Sequence, residues 1–100
     1  MAQEEKRVKV PITNINHNDD DSGLVITVDL AGASKESVDL DMGDRGFCVK
    51  AEADDFRYDN CYMLAHEVKP KDSRAKFNSG LLTIHVPFKE TRRGHKVTIE

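Results

Sequence analysis

The residue types that most often carry out chemistry are few in this 100-residue sequence. The histidines and cysteines are His17, His66, His85, His95, Cys48 and Cys61. None of them shows the short spacing with which Cys and His side chains bind zinc. The sequence also lacks a Gly-x-Ser-x-Gly nucleophile elbow and a glycine-rich phosphate loop. We therefore expect a protein that is not an enzyme and that binds no metal or cofactor.

The acidic run His17–Gly23, HNDDDSG, is the segment most similar to a cation site. A calcium loop of this kind needs a bidentate Glu near its end and a helix on each side. Neither is present here. Because Asp, Asn and Gly also favour turns, the run is interpreted as a solvated turn.

The two cysteines could form a redox pair or remain free. A hairpin that closes near residues 56–57 would place Cys48 opposite residues 65–66, away from Cys61. A disulfide requires Cα atoms within about 7 Å of each other. Two free thiols are therefore the preferred prediction, and they agree with a reducing cytosol.

Composition narrows the classes of function. Charged residues make up 33% of the chain and the net charge is −3, so no basic footprint for nucleic acid is evident. No apolar run is long enough to span a membrane, and the first ten residues lack the apolar core of a signal peptide. These features predict one domain in the cytoplasm.

The elements that must position any functional surface are short strands. Apolar residues alternate in 24–30, 38–42, 47–51 and 62–68, while 52–59 is interpreted as a loop. No segment shows helical periodicity, so seven or eight strands predict an all-β, immunoglobulin-like antiparallel sandwich. We expect a flexible arm over residues 1–9, the sandwich over 10–88 and a tail over 89–100.

The segment Ala75–Pro87, AKFNSGLLTIHVP, is predicted to be a hairpin. Alternating apolar residues flank Asn78-Ser79-Gly80, and Pro87 ends the ladder because it has no N–H to donate. Asn78 and Gly80 tolerate the positive φ that tight hairpin turns require, and we expect Gly80 to adopt it.

The hairpin and the strand before it resemble the C-terminal half of the alpha-crystallin domain of small heat-shock proteins. The residues that match the family pattern are Tyr62, Leu64, Val68, Pro70, Ala75, Phe77, Asn78, Gly80, Leu81, Leu82, Ile84, Val86 and Pro87. VDLAGASKESVDLDMGDRGFCVKAE is similar to an upstream strand and hairpin of that family, and Val97-Thr98-Ile99 resembles its Ile-x-Ile tail motif. The likeness spans residues 10–99 and suggests a short member of archaeal or bacterial type.

The resemblance implies an ATP-independent stress-response chaperone, a holdase that binds unfolding proteins and prevents their aggregation. A groove for clients or for the tail is expected between Val38 and Leu40 on one edge and Leu82 and Ile84 on the other. The tail residues Val97 and Ile99 lie two apart, so both can point to one side of an extended chain. The alternative is a CS-domain co-chaperone or adaptor, which shares the sandwich.

Family members from outside the animals usually exchange a strand from a long loop between the strands at 46–53 and 61–67. This chain has only a short loop there and a short N-terminal arm. We therefore expect self-association only as far as a dimer or small oligomer.

Overall fold

The computed structural model describes residues 6–90 and 97–100, and eight strands lie within these ranges. They are β1 Arg7–Lys9, β2 Thr13–His17, β3 Gly23–Asp29, β4 Asp39–Met42, β5 Gly46–Glu52, β6 Phe56–Met63, β7 Arg74–Asn78 and β8 Leu81–Pro87. Two 3₁₀ turns, Lys35–Ser37 and Pro70–Asp72, precede β4 and β7. Within these ranges no helix has the length and apolarity needed to cross a membrane.

The strands form two four-stranded sheets. Sheet A has the order β1-β6-β5-β4, and sheet B has the order β2-β3-β8-β7. Every neighbouring pair is antiparallel except β1 and β6, which run parallel. The predicted immunoglobulin-like antiparallel sandwich is confirmed.

The core lies between the inner faces of the two sheets. Because successive side chains in a strand point to opposite faces, the alternating apolar residues of β3 all point inward. Ile26 and Val28 are fully buried, as are Val49 of β5 and Ile84 of β8. Burying each such side chain contributes about 1.5–3 kcal/mol to stability.

The β7–β8 hairpin closes with a two-residue turn in which Ser79 has φ 50° and Gly80 has φ 86°. Positive φ at both central residues defines a type I′ turn, whose twist matches that of the paired strands. The predicted conformation of Gly80 is confirmed. Its carbonyl also accepts a 2.7 Å hydrogen bond from the backbone N–H of Leu30, which joins the hairpin tip to the end of β3.

Residues 7–9, which were expected in the flexible arm, instead form β1 at the edge of sheet A. Lys6 Nζ donates to the Ala53 carbonyl at 2.8 Å and lies 3.2 Å from the Glu52 carboxylate. Lys9 Nζ lies 4.0 Å from the centroid of the Phe56 ring. The sequence did not indicate β1, because backbone pairing and two lysines hold it rather than alternating apolar residues. The remaining arm residues, 1–5, lie outside the described ranges.

The expectation of free thiols is wrong, because Cys48 and Cys61 form a disulfide with their Cα atoms 4.0 Å apart. They are direct register partners on β5 and β6. The segment from Phe56 to Asp59, interpreted from sequence as loop, belongs to β6. The hairpin therefore turns at residues 53–55 rather than at 56–57, and this shift brings Cys61 opposite Cys48.

Candidate functional site

The groove was expected between Val38 and Leu40 on one edge and Leu82 and Ile84 on the other. The first pair lies at β4, which is the edge of sheet A, but the second pair lies on the central strand β8, and the edge of sheet B is its neighbour β7. The Thr13 hydroxyl donates to Tyr62 Oη at 2.7 Å, which places β2 against β6 on one side of the sandwich. Edges β4 and β7 therefore share the opposite side. In agreement, Asp44 after β4 and Pro70 before β7 line one pocket.

Four partly buried apolar side chains lie on or next to these two edge strands, whose inner faces border the mouth between the sheets. They are Val38, Leu40, Met42 and Phe77, all packed against the core. Leu40 and Met42 are paired with inward-facing residues of β5, and Phe77 is paired with Leu82. We call this mouth the β4–β7 groove. No described residue pairs with the outer edge of β4 or β7, so backbone N–H and C=O groups are available there.

Leu82 and Ile84, the other two residues of the expected groove, are only 3% and 0% exposed. They lie on β8, which is covered on both sides by β3 and β7. Their side chains therefore belong to the core and can serve the groove only as its floor. The sequence pattern contained Met42 and Phe77 at the correct spacing, but it could not show that their strands lie at the edges.

Charges of opposite sign flank the groove. Asp39 and Asp41 alternate with Leu40 on β4, so they face outward, and both are exposed. Arg74 and Lys76 alternate with the inward-facing residues of β7 in the same way. The β4–β7 groove is therefore apolar inside, with acidic side chains along β4 and basic side chains along β7. Charged side chains on edge strands also oppose uncontrolled pairing with other chains.

A pocket of about 400 Å³ lies where the chain leaves β4 at Asp44 and approaches β7 at Pro70. Its lining residues are Asp44, Val68, Lys69, Pro70, Lys71, Asp72 and Lys89. The surface that it presents is mainly apolar. This pocket provides room beside the groove for a side chain of a bound segment.

The tail residues Val97 and Ile99 are 79% and 93% exposed. Neither is covered by the groove in this conformation. The linker residues 91–96, which include His95, lie outside the described ranges.

The remaining sequence candidates lie elsewhere. The rings of His17 and His66 meet edge to face with centroids 5.4 Å apart, and both contact Phe88. His85 is exposed on the outer face of β8. In residues 6–90 and 97–100 no three His, Cys, Asp or Glu residues are arranged to hold a metal ion.

The Asp-rich segment forms the predicted turn and uses its own polar groups. Asn18 Oδ1 accepts a 2.9 Å hydrogen bond from the backbone N–H of Ser22. Asp20 accepts a 2.6 Å bond from the Ser22 hydroxyl, and this bond together with the Ser22 N–H lowers the pKa of Asp20. Asp21 contacts His17 Nδ1.

A charge network joins three loops beside the pocket that Asp44 and Lys89 help to line. Glu67 accepts a 2.8 Å hydrogen bond from Arg45 and lies 3.2 Å from Lys89. These contacts, with Arg45 first, lower the pKa of Glu67. The network is exposed, so its part is to orient the loops rather than to carry chemistry.

A family model described as CS domain matches residues 13–89 of this chain. Heat shock protein 16.0 from Schizosaccharomyces pombe superposes with a TM-score of 0.71 at 16% identity, over 92% of this chain and 99% of that one. HSP18.5 from E. histolytica gives 0.72 at 12% identity, over 91% and 99% of the chains.

The hspA structure from Xanthomonas axonopodis gives a TM-score of 0.72 at 15% identity, over 84% of this chain and 98% of that chain. Similarity at these identities establishes the fold, and the resemblance to the alpha-crystallin sandwich is confirmed at that level. No curated protein sequence matches the chain.

Proposed function

We propose that this chain, which belongs to the CS-domain family, is an ATP-independent holdase chaperone, because it superposes on heat shock proteins and has an apolar groove between two strand edges. It binds exposed apolar segments of unfolding proteins and keeps them from aggregating. The observation that carries this proposal is the β4–β7 groove, in which apolar side chains lie beside two unpaired strand edges. The proposed activity is binding, so it requires no catalytic residue and no cofactor.

The groove suits an extended apolar peptide. A peptide strand can bind the backbone groups of an open edge while alternate side chains enter the groove. Burying two aliphatic side chains contributes about 3–5 kcal/mol. Ordering each peptide residue costs about 1–2 kcal/mol, so binding is weak and reversible. Such binding fits a protein that must release many different clients.

An aggregation assay at equimolar protein tests this proposal. Leu40→Asn and Met42→Gln place polar groups in the groove, so we expect both variants to protect a heated client less than the natural chain does. Leu81→Asn is the matched control, since Leu81 is 44% exposed on the outer face of sheet B. Melting temperatures verify that each variant is folded. Equal protection by groove and control variants would exclude the groove as the client site.

The chain's own tail is the second proposed occupant of the groove. Val97 and Ile99 are exposed and share one side of an extended chain. Replacing both with Gly should reduce assembly size or change client protection. A Thr98→Gly and Glu100→Gly double variant adds the same number of glycines on the opposite side. Identical behaviour of the two double variants would mean that the tail does not dock.

The alternative function is that of a CS-domain co-chaperone or adaptor, which binds a folded partner through the same sandwich. The match of the CS-domain model over residues 13–89 favours it. An adaptor on its own should give little protection against aggregation, whereas a holdase protects without a partner. The aggregation assay therefore separates the two functions before any partner is known.

The proposal also includes self-association as a dimer or small oligomer and a location in the cytoplasm. Unfolding client chains are expected in the cytoplasm. The thiol pool of that compartment would favour reduction of the Cys48–Cys61 disulfide. Cell fractionation with thiol alkylation before lysis would report both the compartment and the state of the bridge. Recovery of the chain only from an oxidising compartment would contradict this location.

A further inference from the structure

The disulfide lies on the outer face of sheet A. Phe47 and Val49, on either side of Cys48 in β5, are buried, so Cys48 points away from the core. Cys61 is its direct register partner on β6, and Asp41 is its partner on β4. The bridge and one carboxylate therefore form a row across three strands on the outer surface.

One end of this row reaches an open sheet edge. β1 covers β6 only at Phe56–Tyr58. After Lys9 the chain leaves sheet A, and by Ile12 its carbonyl accepts a hydrogen bond from Asp29 in sheet B. Cys61 is accordingly exposed, whereas Cys48, between β4 and β6, is half-buried.

Thiol–disulfide exchange requires a thiolate to approach one sulfur from the side opposite the other sulfur. For Cys61 that approach comes from the open edge of β6. For Cys48 it would cross β4 and pass over Asp41. We propose that Cys48–Cys61 is a reversible thiol-modification site at which small-molecule thiols attack Cys61. The inference does not depend on the holdase function.

The exchange needs only the thiol itself as reductant. A thiolate forms a new S–S bond to Cys61 Sγ, the Cys61–Cys48 bond breaks, and its electron pair leaves on Cys48 Sγ, which takes a proton from water. A second thiolate attacks the mixed disulfide and releases the Cys61 thiolate. Two thiols are thereby oxidised to one small disulfide, and the protein disulfide is reduced to two thiols.

The charges around the bridge select among thiols. Asp41 lies in the same row, and Asp39, Lys50 and Asp59 form the next row on the same face. Asp59 also pairs with Arg57 at 3.3 Å. Asp39, Asp41 and Asp59 stand against Lys50 and Arg57, so three carboxylates and two cationic groups leave a net charge of −1, which attracts cationic thiols and repels anionic ones.

The test uses the full chain purified without reductant and three probes of similar size: cysteamine, 2-mercaptoethanol and 3-mercaptopropionate. Reactions are quenched with acid, free thiols are alkylated, and the adduct is located by peptide mass spectrometry. Rates are compared at equal thiolate concentration and low salt. We expect the mixed disulfide on Cys61, and a rate about tenfold higher for the cationic than for the anionic probe.

High salt should bring the three rates together in the unchanged protein, and Asp41→Asn, which leaves two carboxylates and two cationic groups, should do so at low salt. Because the comparison of salt concentrations needs no substitution, the test holds even if the variant folds poorly. Two free thiols in the purified chain, adducts mainly on Cys48, or equal rates for the charged probes at low salt would each overturn the proposal.

Discussion

The turn at Ser79-Gly80 places a strong constraint on a single residue. Gly80 has φ 86°, and a Cβ built there would lie 3.1 Å from the Ala31 Cα. Gly80→Ala is therefore expected to lower the free energy of unfolding by about 1 kcal/mol or more. Urea denaturation measures this.

Gly43→Ala is the matched control for Gly80→Ala, because a Cβ at Gly43 makes only an ordinary 3.5 Å contact and its φ is not positive. Equal stability of the two variants would contradict the assigned turn.

Tyr58 links the two sheets through its hydroxyl group, which donates a 2.8 Å hydrogen bond to the Ala31 carbonyl. Burial, followed by the charge of Asp29, raises the pKa of Tyr58. A raised pKa means that the folded state holds the proton more tightly than the unfolded chain does. The resulting stability is complete below about pH 10 and is lost as the pH rises through the folded-state pKa.

Tyr58→Phe should cost about 1 kcal/mol near neutral pH, because the partly buried hydrogen bond to the Ala31 carbonyl is lost. Its stability should then fall less steeply than that of the natural chain as the pH rises above about 10. Chemical denaturation at neutral pH and at pH values above about 10 measures the loss of stability and its pH dependence. The same titration of Tyr62→Phe serves as the comparison. Parallel pH curves for Tyr58→Phe and the natural protein would refute the assignment.

Among the elements, β1 is the strand most easily removed. It has three exposed residues and pairs with β6 over Phe56–Tyr58. A chain that lacks residues 1–9 would leave the whole of β6 as an open edge, and open edges promote pairing between chains. We expect the truncated chain to show a larger concentration-dependent mass in analytical ultracentrifugation.

A Lys6→Ala and Lys9→Ala double variant tests the same element without shortening the chain. It removes the side-chain contacts to Ala53, Glu52 and Phe56 while the backbone pairing remains possible. An intermediate mass shift is expected. A truncated chain that stays monomeric at high concentration would show that β1 does not protect this edge.

The elements that sequence predicted well are those whose burial is one-sided. Alternation identified β3, β5 and β8 because one face of each is covered by the core. The first half of β6 was missed, because Asn60, in register with the buried Val49, interrupts the inward-facing apolar row that Phe56 and Tyr58 begin. That omission displaced the hairpin register and with it the partner of Cys48.

The groove was predictable only in part, for a related physical reason. Alternation shows which side chains share a face, but strand order decides which strands lie at an edge. Leu40 and Ile84 have the same sequence pattern, yet β4 is an edge strand and β8 is central. Only the strand order in the structure shows that Leu40 lines the groove whereas Ile84 lies beneath it.

For the molecule as a whole, we expect the short β5–β6 connection to limit assembly. Residues 53–55 form the entire loop, which is too short to contribute a strand to a neighbouring subunit. We expect a dimer or small oligomer in light scattering coupled to size exclusion, at concentrations well above those of the aggregation assay. A stable particle of about twelve or more subunits would contradict this expectation.

The strand order also determines which strands can pair with each other while the chain is being synthesised. β4, β5 and β6 pair with their neighbours in sequence, so most of sheet A can form as it appears. β3 can pair at once with β2, but its other edge must wait for β8, because Ile26 pairs with Ile84. At about 5–20 residues per second, that edge of β3 stays open for several seconds. For that interval the nascent chain displays the kind of open apolar strand that the finished protein is proposed to hold.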